Sequence, residues 1–113
     1  MKYIVAMIKP DRFEEVQRLL FESNINLMTV SEVLGCGRQK GITTIYRGRA
    51  EAGNLLRKIK LEIAVNDDFV EKTIAAINKG AHSGNVGDGK IFVLNLDDCV
   101  RISSGETGSV AIG

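Results

Sequence analysis

At 113 residues, 44% hydrophobic and 26% charged, the chain is long enough for one domain with one modest core. Its single proline and lack of any low-complexity tract exclude a disordered chain, and no apolar run approaches the roughly 20 residues of a bilayer span, which excludes membrane insertion. The formal net charge is only +1, yet the segment from Cys36 to Lys60 holds seven basic residues against one acid, leaving the rest of the chain acidic.

The elements are predicted in chain order as follows. Lys2 to Ile8 is β-branched and apolar and reads as a strand; with no charged leader or cleavage site before it, a cytoplasmic protein is expected. After Pro10, the spacing of Asp11-Arg12-Phe13-Glu14 fits a capping box, and Phe13, Val16, Leu19 and Leu20 form a helical stripe ending at Ser23-Asn24. Asn26 to Leu34 reads as a second strand. The glycine-framed cationic segment then interrupts the pattern. It reads as an anion sensor or a docking arm.

The order then recurs. Ile59 to Val65 is a strand, Asp67-Asp68 with Glu71 caps a helix with stripe Val70, Ile74 and Ile77, and Ile91 to Leu96 is a fourth strand. Two β-α-β units predict an α+β fold: a ferredoxin-like βαββαβ sandwich, an antiparallel four-stranded sheet with both helices on one face and a long loop between strands 2 and 3. One domain spans 1–113. The open second face predicts a homo-oligomer.

Chemistry concentrates in the glycines. Asn85-Val86-Gly87-Asp88-Gly89-Lys90 offers backbone N–H groups at close approach plus a cation, either a phosphate cradle or a simple turn. It is no Walker A loop. Gly35-Cys36-Gly37-Arg38-Gln39-Lys40-Gly41 has the same ingredients, and Arg101 is a further cation that can converge on phosphates. Cys36 and Cys99 lack metal-ligand spacing and read as free thiols, and His82 is the sole histidine, so neither a zinc-type site nor a histidine dyad is expected. Asp88 or Glu62 would be the general base of a phosphohydrolase; neither gives a strong case for turnover. Six aromatics without a stacking pair argue against nucleic-acid binding.

The motifs Gly37-Arg38-Gln39-Lys40-Gly41, Tyr46-Arg47-Gly48 and Gly87-Asp88-Gly89-Lys90-Ile91-Phe92-Val93, together with Ile8-Lys9-Pro10, Lys58 to Ile63, Arg101-Ile102 and Gly105-Glu106, resemble the PII nitrogen-regulatory signal-transduction family nearly end to end. That resemblance implies a homotrimer with ATP or ADP, and by extension AMP, in the clefts between subunits. Thr29 and Ala64 would hold the adenine. Gly35, Gly37, Arg38, Gly87, Asp88, Gly89, Lys90, Arg101, Ile102 and Ser103 would complete the nucleotide site. With ATP, Gln39 would bind Mg²⁺ through its side-chain oxygen. Lys40, Gly41, Lys58 and Lys9, with Gln39, would hold 2-oxoglutarate, or bicarbonate in a divergent branch. The long loop, about 37–57, would dock on a membrane transporter such as an ammonium channel, or on a metabolic enzyme, through Tyr46, Arg47 and Arg49. The phosphate turn would span about 82–90 and the C-terminal segment about 97–113.

The chain departs from the family at its loop tip. Glu51 stands where the family carries its modified tyrosine and Arg49 where some relatives carry a phosphorylated serine, so control by ligand alone is expected. Cys36, His82, Arg57 and Ser103 replace commoner residues. Loss of cations at 82 and 103 predicts weaker triphosphate binding, by roughly 1–3 kcal/mol per charge-assisted bond.

Overall fold

The computed structural model describes residues 1–36 and 55–113 and, between them, the backbone of two short strands. The chain order is strand β1 (Lys2–Ile8), helix α1 (Phe13–Glu22), strand β2 (Thr29–Cys36), short strands β3 (Thr44–Tyr46) and β4 (Arg49–Glu51), strand β5 (Leu55–Val65), helix α2 (Val70–Ala81), strand β6 (Gly89–Asn95) and a single turn α3 (Ser109–Ile112). Strands β2, β5, β1 and β6 form one antiparallel sheet in that order, while β3 and β4 pair separately. The ferredoxin-like α+β architecture is as expected.

The register explains the core. Ile4, Ala6 and Ile8 of β1 lie opposite Ile63, Leu61 and Ile59 of β5, so alternate positions of both central strands share one face. All six are buried, together with Val16, Leu19 and Leu20 of α1 and Ala76 and Ile77 of α2. Gly80 brings the helices together: a β-carbon there would lie 2.8 Å from the Val16 Cα.

Several boundaries differ from the sequence reading. The second strand begins at Thr29 rather than Asn26 and runs on through Gly35 and Cys36, which pair with Leu56 and Leu55. The third begins at Leu55, so Lys58 stands in the ladder, and the fourth begins at Gly89. Neither expected capping box forms. Each helix is instead entered through a 3₁₀ turn, Pro10–Arg12 or Asp67–Phe69, without a side-chain cap. Asp67 accepts from the N-terminal ammonium at 2.7 Å, an interaction available only once β1 and β5 have paired. In α2, Thr73, Ala76, Ile77, Gly80 and Ala81 are the buried positions, with Val70 and Ile74 at the margin.

The other sheet face carries Tyr3, Val5 and Met7 of β1 beside Leu94, Phe92 and Lys90 of β6. Phe92 and Leu94 are each 48% exposed, an apolar strip that the helices do not cover. Among the described residues, no helix is long and apolar enough to cross a membrane.

Candidate functional site: two half-sites at opposite ends of the sheet

The turn between α2 and β6 is built around one carboxylate. Asp88 Oδ2 accepts from the Ser83 N–H at 2.7 Å and the Gly84 N–H at 2.9 Å, and Oδ1 accepts from the Ser83 hydroxyl. Lys9 Nζ lies 3.4 Å from the same carboxylate and His82 Nδ1 lies 3.9 Å away. The Ser83 hydroxyl and N–H, then the Gly84 N–H and Lys9, hold the Asp88 carboxyl far below the usual carboxylate range. Gly87, Gly84 and Gly89 all have positive φ, and at Gly89 a β-carbon would fall 1.7 Å from the Met7 carbonyl oxygen. Gly89 is thus demanded by its packing against β1, and Gly87 by its positive φ, whether or not a ligand binds.

Lys58 reaches this turn from β5. Its Nζ donates to the Gly87 carbonyl at 2.8 Å, and Gly35 across the ladder leaves room for its stem, since a β-carbon there would touch the Lys58 Cγ at 3.4 Å. Burial, then the nearby Lys9 charge, push the Lys58 pKa down, while Asp88 opposes them. A cavity of about 430 Å³ opens beside the turn, lined in part by Ile77, Asn78, His82, Asp88, Lys90 and Ile91. Gly35, Lys9, Lys58 and Gly87 to Lys90 therefore meet at one end of the sheet. An anion entering there faces lysine ammoniums and glycine backbone.

Thr29 and Ala64 sit at the other end. They line a cavity of about 390 Å³ with Tyr3, Glu62, Cys99 and Ala111. The Tyr3 hydroxyl donates to Glu62, and Lys60 Nζ lies 3.3 Å from the same carboxylate. The Tyr3 bond first, then Lys60, holds the Glu62 carboxyl below its ordinary range. Residues 97–113 fold back onto this end. Val100 bridges Thr107, and Arg101 Nη2 donates to the Ala111 carbonyl at 3.1 Å with Glu106 3.8 Å from its Nε. Ile102 and Ser103 are exposed in the same hairpin.

The expected nucleotide residues thus fall into two groups within one chain. Ala64 is paired with Tyr3 and Gly89 with Ile8, so five residue steps along β1, about 17 Å of strand, separate them. Gly37, Arg38, Gln39, Lys40, Gly41 and Arg47 lie outside the described residues, as do the side chains of Tyr46 and Arg49, whose backbones pair across β3 and β4. The sequence reading missed Ser83 and Gly84, although Ser-Gly five and four residues before an aspartate between two glycines is a readable turn signature. It also missed Tyr3 and Ala111, which only the fold brings to Thr29.

The family profile described as "Nitrogen regulatory protein P-II" matches residues 1–106. The chain belongs to the P-II family. It is 53% identical to nitrogen regulatory protein GlnK1 of Methanosarcina mazei over 114 residues, covering 99% of this chain and 97% of that one. It is 49% identical to nitrogen regulatory protein P-II 2 of Methanothermobacter thermautotrophicus, with 99% and 97% covered, and 48% identical to nitrogen regulatory protein P-II of Mesorhizobium japonicum, with 99% and 100% covered. These P-II relatives are named as regulatory proteins, and the matched span takes in both groups of residues apart from Ala111.

Proposed function

We propose that this P-II protein is a non-enzymatic cytoplasmic regulator that works as a homotrimer and binds ATP, ADP or AMP in clefts between copies. With Mg-ATP, it takes a second small anion, 2-oxoglutarate or bicarbonate, at Lys58. It passes the result to a transporter or a metabolic enzyme through the long loop, about 37–57.

The observation that carries this reading is the separation of the half-sites. Thr29, Ala64 and Arg101 gather at one end of the sheet, and Lys9, Lys58 and Gly87 to Lys90 at the other. One nucleotide meets both sets when the front of one copy faces the back of the next. The uncovered strip of Phe92 and Leu94 supports such an assembly, because exposed apolar surface of this kind drives association. The residues fit a nucleotide: Lys90 and the glycine backbone suit phosphates, and the Thr29 cavity is walled by apolar and polar groups together.

A mixing experiment tests it. Lys90→Ala and Arg101→Ala each weaken ADP binding as homotrimers. When the two variants are unfolded and refolded together, a cleft formed by Lys90 of one copy and Arg101 of another is intact, so part of the tight binding returns. If co-refolding restores nothing while the unmixed wild type survives the same treatment, the shared cleft is wrong. Calorimetric titration of wild type with ATP, ADP and AMP, then with Mg²⁺ plus 2-oxoglutarate or bicarbonate, identifies the ligands. Absence of any adenine-nucleotide heat would remove the core of the reading.

A further inference from the structure

We propose that Asp88 is a positioning residue for the phosphate-binding turn: its carboxylate turns inward to Ser83, Gly84 and Lys9 and sets the Gly87–Gly89 backbone that receives the phosphates. The inference rests on the nucleotide reading above and deepens it.

The geometry leaves the Asp88 side chain little else to do. Two backbone N–H groups and a hydroxyl converge on its two oxygens, closing a ring from Ser83 to Asp88. Ser83 Oγ in turn accepts from the Asn85 N–H at 3.3 Å, so the carboxylate organises the whole turn from 83 to 88. Lys9 approaches the same carboxylate from the end of β1, and Lys58 holds Gly87 from β5. The turn is thereby pinned to two strands of the sheet, and the Asp88 charge offsets two ammoniums that would otherwise repel each other. A carboxylate facing an incoming phosphate would oppose binding. One bonded inward to its own turn presents the amide dipoles to the phosphate and keeps its charge behind them. Gly89 then enters β6 against Met7, with no freedom to shift.

The test separates positioning from general stability and from the nucleotide reading itself. Hydrogen exchange is measured on wild type, Asp88→Asn and Asp88→Ala without ligand, and ADP and adenosine are titrated into each. The expected result is a loss of protection of at least tenfold at the Ser83 and Gly84 amides, with β1 and β5 amides unchanged. ADP affinity falls at least tenfold while adenosine affinity is unchanged, and Asp88→Asn lies between wild type and Asp88→Ala. Unchanged amide exchange overturns the positioning role, and so does an equal fall for ADP and adenosine. If wild type binds neither ligand, the nucleotide reading fails and the phosphate role with it, while the exchange data still report whether Asp88 orders the turn.

Discussion

The Lys58 ammonium donates to the Gly87 carbonyl at 2.8 Å, joining the middle of the sheet to the glycine turn across 29 residues of sequence. The same ammonium is the charge proposed above to hold the second anion, which would join the two proposed ligand regions through one side chain. Replacing Lys58 by methionine keeps the buried stem and removes the charge. ADP binding is expected to persist in large part, because the Asp88 bonds to Ser83 and Gly84 and its contact with Lys9 remain, while 2-oxoglutarate or bicarbonate loses a charge-assisted bond of about 1.5–3 kcal/mol, at least tenfold in affinity. Calorimetric titration of the variant checks both halves, and undiminished binding of the second anion refutes the assignment.

Gly89 has no room for a side chain. Gly89→Ala places a methyl against the Met7 carbonyl at a φ of +107°, so denaturant unfolding is expected to show a loss of about 1–3 kcal/mol or more from strain alone. A variant as stable as wild type would mean that β1 and β6 do not approach as described.

Gly80→Ala tests the helix layer separately. Its methyl meets Val16 backbone and side chain at 2.8–2.9 Å, and overpacking of this kind costs roughly 1–3 kcal/mol. Exchange measurements should place the loss in α1 and α2.

The uncovered sheet face gives a prediction about mass. Phe92→Glu combined with Leu94→Glu puts charge on the apolar strip without touching the buried core, and sedimentation is expected to show the proposed trimer replaced by a monomer. An unchanged sedimentation profile would remove this strip from the proposed interface.

Acid should report on Asp88. Its folded-state pKa lies below the unfolded value of about 3.9, so its contribution to stability is fully present above that value and is lost as pH falls toward the folded one. The stability gap between wild type and Asp88→Asn is therefore expected to be constant from pH 7 to 5 and to narrow below pH 4, as read by urea unfolding across that range. A gap that widens in acid contradicts the arrangement.

Much of this molecule is legible in its sequence. The stripe Val16, Leu19 and Leu20 and the alternation of Ile4, Ala6 and Ile8 follow helix and strand periods, and both became core. What stayed hidden depended on distant partners. Asp67 has the spacing of a cap, but the chain's own ammonium lies nearer. Gly35 reads as loop because glycines surround it in sequence, yet ladder pairing with β5 decides its conformation. Gly87 to Lys90 announce a tight glycine turn locally. That Thr29 and Ala64 lie at the far end of the sheet follows only from the registers of β1 and β2 with β5 and of β1 with β6.

That register also constrains how the chain becomes a protein. Residue 2 pairs with residues 65 and 95, so the first strand made on the ribosome is bounded on both sides by segments made much later. Ile4, Ala6 and Ile8 have no sheet partner until β5 is made, past the middle of the chain, and lack their second neighbour until β6 follows. Non-local closure of this kind is slow and leaves an apolar strand available to wrong partners meanwhile. A nascent chain cut short before β6 would carry an incomplete sheet, which makes synthesis of the last strand the step that commits the fold.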